Sequence, residues 1–364
     1  PALIGAVAAS AIAQSPEDWK RQGWKTDFDK HTVPFDEIVS GGPPKDGIPA
    51  IDSPRFTSVD AADKWLDDRE LVMVVEHAGD VHAYPIQILM WHEIVNDRIG
   101  DMPVAVTYCP LCNTAIAFDR RFDGGVLDFG TTGKLRHSDL VMYDRQTESW
   151  WQQASGEGLV GVYAGRELIF VPSRMHDWRT VRTLHPSARV LSRETGRNAP
   201  YGRNPYEEYD RSSSPWPRFF RAGKDDRLPA MERVAAVRHG EASVAYPFSE
   251  LKKVRVVNDE IEGVPVVVFW APGAASSVDA RRVADGREVG STAVFDRRAA
   301  EQTLMFEPVG DGQFSDRETG SVWSMAGMAE TGPLAGERLD AIVHGDFFWF
   351  AWAVFKPDTR IWRP

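Results

Sequence analysis

Two cysteines, Cys109 and Cys112, are the only ones among the 364 residues, and two positions separate them. They lie in the segment TYCPLCN, directly after the strand-like run PVAV at 103–106. Two thiols at this spacing can form a disulfide or supply half of the ligands of a soft-metal site. We therefore expect the chemistry of the chain to be centred on this pair.

A metal bound at this pair needs a further ligand from elsewhere in the chain. Thiolate and imidazole ligands favour copper and zinc, and a structural zinc site normally has four protein ligands. Cu(I) accepts fewer, and Cys109, Cys112 and His92 together would satisfy it. Copper is therefore the favoured metal, with zinc as the alternative. An apolar helix face also suits a core histidine, so His92 has two interpretations.

Other side chains could assist such a site. Met90 and Met142 are weaker candidate ligands that offer a thioether, although core packing also explains a buried methionine. Glu93 and Asp97 are candidate hydrogen-bond partners for a ligating imidazole. Separately, Asp139 is one of several acidic residues that could do acid–base work.

Thiol–disulfide redox chemistry is the second hypothesis. In thioredoxin-like proteins the N-terminus of a helix acidifies the first thiol of the pair. Here residues 114–119, TAIAFD, are partly β-branched and predict a strand, so we expect no helix dipole at the thiols. The third hypothesis is a structural disulfide, which closes a small loop and stabilises the chain modestly. The protein would then bind no metal.

The second half of the chain repeats the first half without its cysteines. The segments AYP, VND and DRQTES recur in the same order as AYP, VND and DRETGS. At the corresponding positions the two cysteines become Ala271 and Ala274, and His92 becomes Val254. An internal repeat of this kind predicts two similar structural units. Residues present in only one copy are not required by the shared fold, so they are the better functional candidates.

The pattern predicts a β-rich α+β protein of two tandem, structurally similar lobes, preceded by an extended N-terminal arm. Turn-forming residues without periodicity indicate the arm. Helical spacing at 86–96 predicts a helix that carries His92 on its apolar face. The expected segments are a signal-peptide remnant at 1–13, the arm at 14–58, the first lobe with the Cys-x-x-Cys site at 59–192, a connector at 193–229 and a second, degenerate lobe at 230–364.

The net charge and the N-terminal residues indicate which partners the protein excludes and where it is located. The net charge of −11 argues against nucleic acid as a partner, and no apolar run is long enough for a transmembrane segment. Small apolar residues end in Ala-Ile-Ala at 11–13, which is typical of a signal-peptide cleavage site. We therefore expect export, to a bacterial periplasm, where an unprotected cysteine pair is oxidised.

Several long motifs resemble one bacterial protein family. WHEIVND at 91–97, TYCPLC at 107–112 and SDLVMYDRQTESWWQ at 138–152 are similar to the family named domain of unknown function 3179 (DUF3179). The resemblance extends from about residue 40 to the end and implies no particular reaction, because the family carries none that can be transferred. Many relatives are expected to have Asn at position 137, so His137 is a weaker candidate ligand than His92.

Together these patterns predict an exported metal-binding protein, with copper favoured, or a redox protein built on Cys109, Cys112 and His92. The alternatives are a thiol–disulfide redox protein and a non-enzymatic domain with a structural disulfide. The expected partner is a small molecule, or a protein that delivers metal to this site or exchanges electrons with it.

Overall fold

Strands dominate the structure, a computed structural model that describes residues 15–364. Twenty-nine strands outnumber six short α-helices and three 3-10 helices in this range. The prediction of a β-rich chain with few helices is therefore confirmed. The expected signal-peptide remnant at 1–13 lies outside the described residues. None of the helices within 15–364 is long and apolar enough to cross a membrane.

Residues 15–192 form four α-helices, one 3-10 helix and sixteen strands. The helices are α1 (Pro16–Arg21), α2 (Val59–Ala62), α3 (Ile86–His92) and α4 (Trp178–Leu184), with the 3-10 helix at Phe35–Glu37. The strands are β1 (Ile38–Ser40), β2 (Phe56–Thr57), β3 (Leu71–His77), β4 (Asp80–Pro85), β5 (Ile94–Ile99), β6 (Met102–Cys109), β7 (Thr114–Asp119), β8 (Arg121–Phe122), β9 (Gly125–Val126), β10 (Phe129–Arg136), β11 (Asp139–Asp144), β12 (Trp150–Gln152), β13 (Gly158–Val160), β14 (Ile169–Val171), β15 (Ser173–Asp177) and β16 (Arg189–Leu191).

The remaining residues form two α-helices, two 3-10 helices and thirteen strands. The helices are α5 (Phe248–Val254) and α6 (Trp349–Ala353), with 3-10 helices at Tyr209–Arg211 and Val283–Asp285. The strands are β17 (Arg233–His239), β18 (Ala242–Pro247), β19 (Val256–Ile261), β20 (Val264–Ala271), β21 (Ser291–Asp296), β22 (Arg298–Ala299), β23 (Gln302–Thr303), β24 (Phe306–Gly310), β25 (Gln313–Asp316), β26 (Val322–Ser324), β27 (Ala329–Thr331), β28 (His344–Phe348) and β29 (Arg360–Ile361).

Each half contains three main sheets. In the first half their strand orders are β15-β3-β4-β16-β2, β14-β7-β6-β5 and β1-β10-β11-β12-β13. In the second half the orders are β28-β17-β18-β29, β19-β20-β21 and β24-β25-β26-β27. Residues before 59 supply β1 and β2, which form the outer strands of two first-half sheets. The early segment is thus hydrogen-bonded to the body of the protein.

One hydrophobic core cluster crosses from the first half to the second. It contains Met73 and Val106 from the first half, and Val234 and Phe348 from the second. Tyr209, which lies in the predicted connector, belongs to the same cluster. The connector is therefore packed into the interior and does not simply span a gap between two separate cores.

Helix α3 is shorter than the helix predicted over 86–96. It ends at His92, and β5 begins at Ile94. Between them Glu93 has a φ of +59°, a left-handed conformation that ends helices. Ile94 then pairs with Thr107 of β6, because the β-branched residues of this segment gain more from strand pairing than from another helical turn. The predicted strand at 114–119 is confirmed as β7.

A buried carboxylate stabilises the turn between β11 and β12. Asp144 accepts hydrogen bonds from the Thr147 backbone N–H at 2.7 Å and from the Trp151 indole at 3.0 Å. Asp316 accepts the same two kinds of bond in the second half, at 2.6 Å from the Thr319 N–H and from an indole. The recurring DR-x-T motif thus has a structural role in both halves.

We predict that Asp144→Ala lowers the free energy of unfolding by about 2 kcal/mol or more, because each buried donor left without an acceptor costs about 1–3 kcal/mol. Urea unfolding followed by tryptophan fluorescence measures the change. Asp311→Ala is the control, since Asp311 is an exposed carboxylate whose side chain is 78% accessible. Equal losses in the two variants would contradict a structural role for Asp144.

Candidate functional site

The hairpin of β6 and β7 presents both thiols. Cys109 is the last residue of β6 and pairs with Thr114, the first residue of β7. Cys112 lies in the turn between them, and its backbone N–H donates to the Cys109 carbonyl oxygen at 3.2 Å. Both side chains are buried free thiols. The two cysteines, called the thiol pair below, therefore lie together at one end of their sheet.

The third member of the site is Asp139, the first residue of β11, which is fully buried. A carboxylate oxygen of Asp139 and the two sulfurs of Cys109 and Cys112 lie within 4.8 Å of one another. Within residues 15–364 this is the only group of three His, Cys, Asp or Glu side chains that meets this distance. The sequence marked Asp139 for acid–base work but did not place it beside the thiols, because the contact joins strands of different sheets.

Two hydrogen bonds orient the Asp139 carboxylate. Oδ2 accepts from the Gln152 side-chain amide at 2.6 Å and from the Ala154 backbone N–H at 2.9 Å. Oδ1 has no hydrogen-bond partner among the described residues. The Cys109 S–H donates to the Ser138 carbonyl oxygen at 3.6 Å, so the Cys112 S–H is the thiol donor left to Oδ1. The carboxylate is thus held with one oxygen free to take a thiol proton.

Burial controls the acidity of all three groups, since within residues 15–364 no cationic side chain forms a salt bridge with Asp139. Burial raises the pKa of Asp139 to about 6. It also raises the pKa of both thiols, but a hydrogen bond from Cys112 partly offsets this for Cys109, whereas the same bond raises the pKa of Cys112 further. Cys109 is therefore the thiol that ionises more readily.

A cavity of about 310 Å³ opens onto Cys109. We call it the cysteine cavity. Its walls include Glu93, Tyr206 and Trp216, while Cys112 and Asp139 are not among its lining residues. A small molecule in the cysteine cavity would therefore meet the Cys109 sulfur before it met Cys112.

His92 lies outside the three-residue group that contains the thiol pair. Its Nδ1 is 2.7 Å from the Pro49 carbonyl oxygen, and its Nε2 is 2.7 Å from the Tyr201 hydroxyl. Both ring nitrogens are thus engaged by the protein, and burial lowers the pKa of His92. In this structure His92 joins α3 to the early segment and to the connector, and binding a metal would require the loss of one of these bonds.

The weaker predicted ligands also lie outside the group. Met90 and Met142 belong to the main hydrophobic cluster, so core packing accounts for their positions. His137 is buried two positions before Asp139, and its Nε2 is 3.2 Å from a carboxylate oxygen of Glu37. Its Nδ1 has no partner among the described residues. His137 is therefore the only one of the three with a ring nitrogen left unpaired within residues 15–364.

The two carboxylates predicted to support His92 have other surroundings. Asp97 lies 2.7 Å from the His82 ring and accepts a hydrogen bond from the Tyr84 hydroxyl at 2.6 Å. Glu93 lines the cysteine cavity, and burial, with the Asp139 charge adding to it, raises the pKa of Glu93 to about 8. Neither carboxylate hydrogen-bonds to His92, whose ring nitrogens face Pro49 and Tyr201.

The three side chains of the site suit a neutral dithiol or disulfide better than a bound copper or zinc ion. A structural zinc site needs a fourth protein ligand, which the group of Cys109, Cys112 and Asp139 does not contain. A carboxylate is a hard ligand that Cu(I) does not favour. Two thiolates and a carboxylate also carry more negative charge than a Cu(I) or Zn(II) ion neutralises, and burying the excess is costly. A dithiol and a disulfide are both neutral and avoid this cost.

The chain matches a protein family described as a protein of unknown function, DUF3179, over residues 45–359. No curated protein and no solved structure matches it. The resemblance predicted from the motifs is thus confirmed. The activity has to be inferred from the geometry of the site.

We predict that Glu93→Gln flattens the dependence of stability on pH between 4.5 and about 8, the unfolded and folded pKa values of this carboxyl. The folded protein holds the proton throughout that range and the unfolded chain does not, so in the wild type this group lowers stability as pH rises. Glutamine has no proton to lose. Urea unfolding at both ends of the range tests this, and identical pH dependence in the two proteins would refute the buried acid.

Proposed function

Because the chain belongs to the DUF3179 family, whose members are described only as proteins of unknown function, we propose its function from the site: a thiol–disulfide redox protein that uses Cys109 and Cys112. The observation that carries this proposal is the buried Asp139 carboxylate within 4.8 Å of both sulfurs. A carboxylate so placed can accept a thiol proton without water. This is general-base activation, which differs from the lowering of the thiol pKa by a helix N-terminus in thioredoxin-like proteins.

The surroundings of the two thiols assign them different roles. Cys109 opens onto the cysteine cavity, and the hydrogen bond from Cys112 favours its thiolate. Cys109 is therefore the thiol that attacks the substrate. Cys112 lies behind it, fully buried, and is the thiol that attacks Cys109 afterwards. Asp139 takes the Cys112 proton in that second step.

The reaction is a balanced exchange between the protein dithiol and a substrate disulfide. The Cys109 thiolate, whose proton has gone to solvent, attacks one sulfur of the substrate, and a mixed disulfide forms as the first substrate thiolate leaves. Cys112 gives its proton to Asp139 and attacks Cys109, so the second substrate thiolate leaves. Both leaving groups gain protons. The protein ends as a Cys109–Cys112 disulfide, and the substrate ends as two thiols.

We further propose that the second half is a degenerate copy that supports the first, as the internal repeat predicts. The matching strand orders in the two halves support this proposal. In the second half Ala271 ends β20, the counterpart of β6, so that hairpin has no thiol. The redox centre is then confined to the first half. Copper binding and export to the periplasm stay predictions from the sequence.

We predict that 4,4′-dithiodipyridine oxidises the wild-type protein to the Cys109–Cys112 disulfide and releases both thiopyridone groups. Cys112→Ser should stop at the mixed disulfide on Cys109 and release one group, because no second thiol can attack. Cys109→Ser should react far more slowly, since Cys112 does not line the cysteine cavity. Absorbance and intact-protein mass measure these outcomes.

Elemental analysis of protein purified without chelators is the accompanying control. Stoichiometric copper or zinc, with both thiols protected from the disulfide reagent, would overturn the redox proposal in favour of a metal site. A wild-type protein that remained a mixed disulfide would also contradict it, because the two thiols would then be unable to reach each other.

We predict that Asp139→Asn slows closure of the Cys109–Cys112 disulfide by about 10²-fold, the usual contribution of a positioned general base. The first step, formation of the mixed disulfide, should change much less. Stopped-flow release of the two thiopyridone groups separates these steps. Asp311→Asn is the matched control, because Asp311 is a surface carboxylate shortly before β25 in the other half. Equal slowing of both steps would indicate structural damage instead.

A further inference from the structure

We propose that Glu93 is the proton donor for the sulfur that leaves when Cys109 attacks, and that the substrate is a small disulfide bound in the cysteine cavity. This inference rests on the proposed redox function. It adds a catalytic residue and a substrate class to that function. Glu93 and Cys109 line the same cavity, whereas Asp139 lies behind the thiols, so the two carboxyl groups serve different sulfurs.

The surroundings of Glu93 keep its carboxyl group protonated. Its side chain is only 7% exposed, and no described residue forms a salt bridge or side-chain hydrogen bond with it. A carboxylate buried without donors is destabilised relative to the neutral acid. The raised pKa of about 8 agrees with this. Glu93 can therefore carry a proton into the cysteine cavity at neutral pH.

The fold does not require an acid at this position. Glu93 follows α3 with a φ of +59°, and Arg255 follows α5 with a φ of +64°, so both halves use the same left-handed turn. That conformation favours glycine and places no demand on the side chain. In the second half Arg255 forms an ordinary salt bridge with Asp311 at 3.5 Å. The first half instead has Glu93 at this position, a buried acid that forms no salt bridge within residues 15–364.

The walls of the cysteine cavity select the substrate. They are largely aliphatic and aromatic, with Lys134 and Arg218 as their cationic members, and a volume of about 310 Å³ lies at the lower end of the range for small-molecule sites. The apolar lining residues include Ile48, Leu111, Leu135, Leu140, Trp216 and Phe219. A charged thiolate is poorly solvated by such walls. A leaving sulfur in the cavity therefore needs a proton as its bond breaks.

In the first step Glu93 supplies the proton for the leaving sulfur. The Cys109 thiolate forms a bond to the nearer substrate sulfur, and the sulfur–sulfur bond of the substrate breaks. Its electron pair goes to the farther sulfur, which takes the proton from Glu93 and leaves as a neutral thiol. Glu93 becomes a carboxylate and regains a proton from solvent when the product departs. Two electrons pass from the protein to the substrate in the complete cycle.

The test compares two disulfide probes on wild type and Glu93→Gln. Bis(2-hydroxyethyl) disulfide releases a basic alkyl thiolate that needs protonation, whereas 4,4′-dithiodipyridine releases a stabilised thiopyridone that does not. We expect Glu93→Gln to slow the first reaction by about 10²-fold and the second by less than about threefold. Arg255→Gln, the counterpart in the other half, should affect neither. Rapid quenching and intact-protein mass measure the rates.

The outcomes separate this inference from the redox proposal. Equal rates of wild type and Glu93→Gln with the alkyl probe, or equal slowing with both probes, would overturn the role of Glu93. Failure of wild type to form the Cys109–Cys112 disulfide with either probe would overturn the redox function itself. If Glu93→Gln does not fold, Glu93→Asp replaces it, and its shortened carboxyl should slow only the alkyl probe.

Discussion

The site depends on one constraint: a carboxylate is buried beside two thiols with no cation to balance it. Asp139 is held there by the Gln152 amide and the Ala154 N–H, which leave one carboxylate oxygen for the sulfurs. In such a place every negative charge is costly, so proton transfer has to accompany any change in the thiols. This favours chemistry that begins and ends with neutral groups, as exchange between a dithiol and a disulfide does.

Both halves of the chain complete the environment of the thiol pair. The Phe348 N–H of β28 donates to the Cys112 carbonyl oxygen at 2.9 Å, so the second half fixes the turn that carries Cys112. From the connector, Phe219 accepts a hydrogen bond from the Ser138 N–H at 2.9 Å, directly before Asp139. A half without cysteines thus contributes to the site through its backbone.

An acidic residue follows α3 in the first half, whereas a basic residue follows α5 at the equivalent position in the second half. Glu93 is a buried acid that lines the cysteine cavity, while Arg255 forms a salt bridge with Asp311 at the surface. The same left-handed turn supports both arrangements. The shared backbone determines where these side chains lie, and the side chains determine their charge and burial. One turn can therefore carry a buried acid in one half and a surface salt bridge in the other.

The sequence by itself determined the β-rich class, the family, and the strands β6 and β7 that flank the thiol pair, because alternation and β-branched residues are local signals. The helical spacing predicted that α3 continues past His92, which is wrong because strand pairing with Thr107 overrides that spacing at Ile94. Only the tertiary structure decided that Asp139, and not His92, joins the two sulfurs. Periodicity shows which face a side chain occupies, but the packing of separate sheets decides which buried groups meet.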